Sequence, residues 1–271
     1  MAGSTASLSA FFATHPAVIH IKITRVSGST PRDEDAEMLV ARDAALGTIG
    51  GGQLEYLAIS AARKMLETTE TRRDLELPLG PEIGQCCGGR VWLTLHAMDA
   101  SARADALARA VASDAAQPHV CVLGAGHIGR ALADLFQHMP VRCLLIDSRA
   151  DQLERCAASV ETRLTALPEA EIRAAPPGSA FVVLTHDHAL DFLLTAAVLE
   201  RGDAAYVGMI GSRSKRAQFA NWHRDQGGDA ELSALHCPIG DTVMDKRPQV
   251  IAASVLAEVM TAFVARQRIG S

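Results

Sequence analysis

From His20 to Val26 the chain alternates apolar Ile21 and Ile23 with polar His20, Lys22 and Thr24, a two-residue period that predicts a strand with one buried face. Gly28-Ser29-Thr30-Pro31-Arg32 interrupts it, and Ala36 to Ala41 predicts a second strand. After Gly47-Thr48-Ile49-Gly50-Gly51-Gly52 the period lengthens. Leu54, Leu57, Ala58, Ala61 and Met65 recur at helical spacing. Arg90 to Met98 predicts a further strand, and the Ala-rich stretch from Asp99 to Pro118 a helix. Near the start, Ser-Leu-Ser-Ala-Phe-Phe suggests a short helix at the edge of a domain.

From His119 onward strand-like and helix-like runs alternate. Strands are expected at VCVL, VRCLLID, AFVVLT, AAYVGMI and ALHCPIG, with a weaker one near 161–167. Between them fall helical patterns, and a long one from Pro248 closes the chain. This alternation implies parallel strands joined by right-handed crossovers. The expected fold is α/β: a C-terminal Rossmann-like doubly wound parallel sheet with a smaller N-terminal α+β domain. The expected divisions are 1–98, a helical connection over 99–117, and 118–271.

Composition narrows the function classes. The chain has 271 residues, 48% apolar and 21% charged, which supports a globular protein of one or two domains. A net charge of −5 gives no reason to expect nucleic acid or a membrane surface as partner. The N-terminal stretch lacks the charged start and apolar run of a secretory signal. Val250 to Ala265, the most apolar segment, carries Glu258 and has the spacing of a packed helix. Six cysteines stand at 86, 87, 121, 143, 156 and 237 with no C-x-x-C pair, which argues against a structural zinc site. The expectation is a cytoplasmic chain with reduced thiols, Cys121 and Cys143 serving as small buried hydrophobes.

Candidate chemistry gathers in two places. Gly124, Gly126 and Gly129 fit G-x-G-x-x-G between a strand and a helix, where the exposed N–H groups favour an anion. Asp147, ending the next strand, is placed to accept a ribose hydroxyl. Arg149 beside it suits a 2′-phosphate, so the loop alone does not choose a nucleotide. The same sheet edge is expected to collect His127, His186, Asp187, His188, Gly211, Arg213, Lys215, Arg216, His236 and Cys237. For His186 and Asp187 the alternatives are a ligand site or hydrogen bonds between loops, and a metal held by His127, His186 and His188 is the least supported. The SRSKR run reads as an anion clamp at a helix start or as a solvated face.

In the first half, Gly50, Gly51 and Gly52 are either an anion cradle or a tight turn feeding the helix. Cys86 and Cys87 precede Gly88 and Gly89. A disulfide between adjacent residues closes a strained ring, and in an extended segment the two thiols face opposite ways. The glycine pair would let a large ligand approach Cys87, leaving Cys86 to packing, while core filler for both stays open. A thiolate at Cys87 suits a soft metal centre.

Taken together, GSTPR, AEMLV, GTIGGGQLE, GQCCGGRV, VLGAGHIGRALA, THDHALD, YVGMIGSRSKR and HCPIG followed by RPQVIAASVLAE resemble the xanthine dehydrogenase accessory protein family, XdhC/CoxI. Two positions depart from its pattern: Asp35, where glycine is more usual, and Asp241, where an aliphatic residue is. The resemblance implies a protein that binds molybdenum cofactor (molybdopterin) and holds it during sulfuration by a cysteine desulfurase. The cofactor would then pass to the xanthine dehydrogenase molybdenum subunit, with no turnover of xanthine by the chain itself. It carries over Gly50, Gly51, Gly52, Cys87, Gly88, Gly89, Gly124, Gly126, Gly129, His186 and Asp187 as cofactor-binding positions. The alternative is an NAD(P)-dependent oxidoreductase with His186 and Asp187 as acid/base groups. A homodimer is the base expectation.

Overall fold

The computed structural model describes residues 4–80, 88–228, 232–240 and 245–269. The chain divides into two units, Met1–Ala116 and Gln117–Ser271. In the first, a five-stranded antiparallel sheet runs in the order β3 (Ala45–Gly47), β2 (Glu37–Val40), β1 (Ile19–Ser27), β5 (Gly89–Ala97), β4 (Arg72–Leu79). The two-residue period works as read. Ile19, Ile21 and Ile23 are buried with Met38 and Val40 under α2 (Gly52–Leu66), which presents Leu54, Ala58, Ala62 and Met65. Leu39, one residue out of phase, faces the other side of the sheet.

That other side is covered by α1 (Thr5–Thr14) and α3 (Ala100–Ala115), through Leu8, Phe11, Ala106 and Ala110. The Thr5 N–H donates to Asp114 at 2.9 Å, tying the two helices together. The Ala-rich helix read as a connection is therefore packed within the first unit, because its alanines lie flat against α1.

The second unit is a six-stranded parallel sheet in the order β11 (Leu235–His236), β10 (Tyr206–Met209), β9 (Ala180–Val183), β6 (His119–Leu123), β7 (Arg142–Asp147), β8 (Glu161–Leu164). All five neighbouring pairs are parallel. On one face lie α4 (His127–Phe136) and α9 (Pro248–Ile269), on the other α6 (Pro168–Ala174), α7 (His188–Arg201) and α8 (Arg213–Asp225), with α5 (Ala150–Glu154) after β7. Along β6, Val120 and Val122 feed the first core and Cys121 and Leu123 the second. The strand order reverses between β6 and β9, so the loops after these two strands flank the switch point.

Pro248–Arg266 is long and apolar enough to cross a bilayer. Its Ala252, Val255, Val259 and Phe263, at helical spacing, instead pack into the core against α4. Cys121 and Cys143 are buried, and burial pushes both thiols up to about 12.

Candidate functional site

The loop between β6 and α4 turns sharply at Gly124, whose φ is +126° and whose N–H donates to the Ile146 carbonyl at 2.7 Å. A Cβ on Gly124 would lie 2.3 Å from the Leu184 carbonyl oxygen, and one on Gly129 would lie 1.8 Å from that of Gly124. These two glycines are demanded by packing. Gly126 is different: a Cβ there would meet nothing within 4 Å. Gly126 is also the N-cap of α4 and brings no side chain to cap it. The helix start therefore faces open space with N–H groups available to an acceptor.

Asp147, 7% exposed, closes β7 beside this loop. One carboxylate oxygen accepts from the Ala125 N–H at 2.7 Å and Arg149 Nη2 at 2.8 Å. The other accepts from the Arg149 N–H at 3.0 Å and Nε at 2.9 Å. Burial alone would raise its pKa. The Arg149 side chain and the two backbone donors outweigh burial and hold Asp147 below the ordinary carboxylate range. Next to it lies a slot of about 60 Å³ walled by Leu123, Ile146, Ala166, Pro168, Leu190 and Leu194, with Gly124, Ser148, Thr185 and His186 at its edges. That volume is well below the roughly 300 Å³ of a complete ligand pocket, so the slot suits one ring of a ligand.

The loop after β9 is held from within. Asp187 is the N-cap of α7, accepting from the Ala189 and Leu190 N–H groups at 2.7 and 3.3 Å. Those donors hold its carboxyl below the usual range. This is the loop-bonding alternative for Asp187; His186 lies at the slot, and His188 opens α7. His127, exposed at the start of α4, lines a separate groove of about 340 Å³ with Arg130, Asp134 and Arg155.

After β10, Gly211 makes room for a lysine. A Cβ there would lie 2.8 Å from Cδ of Lys215, which folds inward to donate to Asp191 at 2.6 Å. The second Asp191 oxygen accepts from the Thr185 N–H at 2.8 Å and its hydroxyl at 2.7 Å. Arg216 donates to the carbonyls of Leu232 and Leu235. Lys215 and Arg216 of the SRSKR run thus serve internal bonds, and Arg213 is exposed at the first turn of α8. Asp191 is the residue that the sequence pattern does not single out, and Lys215, read there as one cation of an anion clamp, is instead its buried partner. Among the described residues no group of three His, Cys, Asp or Glu side chains converges to hold a metal ion.

In the first unit the Gly50–Gly52 turn holds a carboxylate of its own chain. Glu55 accepts from the Thr48 hydroxyl at 2.6 Å and from the Ile49 and Gly51 N–H groups at 3.2 and 3.1 Å. Gly50 is required by Pro31, whose Cγ would lie 2.6 Å from a Cβ there. Gly52 is the first residue of α2. At the other candidate loop, a Cβ on Gly89 would lie 2.3 Å from the Ser29 carbonyl oxygen, so what approaches that glycine is β1's own continuation. Gly88 donates its N–H to Leu79 at 2.7 Å and has open space at its Cβ position. Cys86 and Cys87 lie outside the described residues.

A family model described as the XdhC Rossmann domain matches residues 120–259, and one described as the XdhC and CoxI family matches residues 12–77. Cys86 and Cys87 fall between the two matched stretches. The uncharacterized protein YqeB of Escherichia coli (strain K12) is 28% identical over 250 residues, which is 86% of this chain. The chain spans only 41% of that relative's length. A Bacillus halodurans chain described as a xanthine dehydrogenase superposes with a TM-score of 0.85 over 99% of this chain and 98% of its own. Its sequence identity is 18%, so that likeness shows the fold.

Proposed function

The chain belongs to the XdhC and CoxI family, and from that premise we propose that it is an accessory protein of xanthine dehydrogenase maturation that holds molybdenum cofactor. In this reading the cofactor stays bound while a cysteine desulfurase sulfurates it and is then inserted into the molybdenum subunit of xanthine dehydrogenase. The observation that carries the reading is family membership, matched in order along both units. A built feature supports it: at Gly126 an uncapped helix start faces open space, the environment a phosphate monoester needs. When bound, the cofactor would supply a dithiolene-held metal, and this chain's part would be to grip the phosphate and exclude water.

Within this proposal Cys87 is the soft ligand toward the metal and Cys86 is not. The proposed setting is the cytoplasm, with the chain as a homodimer. The test is to purify the full chain from cells that make molybdenum cofactor, oxidise the extract and record pterin fluorescence. The expected result is molybdopterin co-purifying with wild-type protein and falling at least about tenfold in Cys87→Ala, with Cys86→Ala near wild type. A protein that carries nucleotide and never pterin would overturn the reading.

A further inference from the structure

Beyond cofactor holding, the second unit carries a specificity device that the glycine loop alone does not reveal. A ribose diol is recognised at this kind of sheet edge by donating to a free carboxylate. Asp147 has no such freedom, since both of its oxygens already accept two hydrogen bonds each. An incoming diol would have to displace the Arg149 fork, at the cost of charge-assisted bonds.

Arg149 is in the opposite condition. A guanidinium has five N–H donors, and the pair with Asp147 engages only those on Nε and Nη2. Its side chain is 32% exposed and is paired to Asp147, which lines the slot, so its remaining donors lie beside the slot rather than in the core. The guanidinium also cancels the charge of Asp147, removing the repulsion that a bare carboxylate would offer an anion. Beside the pair, the walls given by Leu123, Ile146, Pro168, Leu190 and Leu194 are apolar and suit a flat ring. The surroundings thus offer donors to a phosphate and an apolar slot to a heterocycle, and the Asp147 carboxylate offers no free oxygen to a diol.

We propose that this slot binds the base of a 2′-phosphorylated adenine nucleotide and that Arg149 selects it over the unphosphorylated form. Arg149 acts without leaving Asp147: the carboxylate orients the fork, and the outward donors take the phosphate.

The experiment is calorimetric titration of the full chain with NADP⁺, NAD⁺, 2′-AMP and 5′-AMP, repeated on Arg149→Ala and Arg149→Lys. The expected outcome is that NADP⁺ binds at least about tenfold tighter than NAD⁺, which lacks only the 2′-phosphate, and 2′-AMP at least about tenfold tighter than its isomer 5′-AMP. Arg149→Ala should erase that ratio by weakening NADP⁺, and should leave or improve NAD⁺ by freeing Asp147. Arg149→Lys, which keeps the charge without the fork, should fall between them. Should Arg149→Ala fail to fold, the wild-type ratios and Arg149→Lys still decide. Equal or tighter binding of NAD⁺, an unchanged ratio in the variants, or no nucleotide binding at millimolar concentration would each overturn the proposal. So would displacement of NADP⁺ by molybdopterin with loss of pterin binding in Arg149→Ala, which would make the slot a pterin site. Absence of pterin from the purified protein, by contrast, would remove the chaperone reading and leave the nucleotide ratio standing.

Discussion

Asp147 is ionised at 7% exposure because four donors from two residues surround it. The linkage has a definite sign. Its folded pKa lies below the unfolded value of about 3.9, so its contribution is fully present above that value and is lost as pH falls through the folded pKa. The prediction concerns Asp147→Asn, which should be less stable than wild type at pH 7. It should also show a shallower loss of stability below about pH 4, by at most one proton, or about 1.4 kcal/mol per pH unit. Urea midpoints followed from pH 7 to 3.5 read both; parallel curves would show that the carboxylate is not depressed. A second residue bears on the family pattern. Asp35, where the resemblance implies glycine, sits at φ +68°, in the left-handed region that glycine enters freely, and its carboxylate reaches Lys22 at 2.8 Å. The departure keeps the turn because aspartate is among the few residues that tolerate this conformation.

At the scale of elements, α7 and α8 are joined at their N-terminal ends by the buried pair of Asp191, 0% exposed, and Lys215. Removing one partner leaves the other charge without its counterion in the core. Lys215→Met is therefore expected to destabilise the second unit by about 3–5 kcal/mol, while Asp191→Asn with Lys215→Met should cost clearly less than the two singles summed. Denaturant unfolding of the four proteins completes the cycle; additive losses would mean that the pair is not coupled. This pairing is not legible in the sequence, since 24 residues separate its members and SRSKR reads as an anion clamp or a solvated face. What could be read was local and periodic: β1 from Ile21 and Ile23, α2 from Leu54, Ala58 and Met65, and the strand–helix alternation after His119. β4 carries only a weak strand pattern although Leu75, Leu77 and Leu79 alternate along it. Arg72, Arg73, Asp74 and Glu76 on an edge strand, with Pro78, dilute the signal. α7 begins at His188 because Asp187 caps it. The glycine loop was legible for the same local reason. That Arg149 forks onto Asp147 two residues away and that Glu55 turns back onto the Gly50–Gly52 turn are local contacts set by side-chain rotamers that no residue pattern encodes, whereas Ser29 crowds Gly89 only because folding brings β1's continuation onto β5.

For the molecule as a whole, the decisive fact is that each unit closes a core from its own residues. The first unit buries one cluster under α2 and a smaller one under α1 and α3. The second buries one on each face of its parallel sheet, and α9, the last described element, completes the face that α4 begins. A unit of 155 residues with both sheet faces covered meets the size at which single domains fold alone. Residues 117–271 expressed by themselves should therefore give a monodisperse protein with mixed α/β circular dichroism and a single cooperative urea transition. The same fragment cut before Pro248 should not fold, because it strips Ala252, Val255, Val259 and Phe263 from the core and exposes the apolar side of Leu132 and Phe136. A fragment of 117–271 that aggregates or unfolds without cooperativity would show that the second unit draws stability from outside itself. A folded fragment 117–247 would show that α9 is not part of its core, which would leave Pro248–Arg266, apolar and long enough to span a bilayer, free for another role.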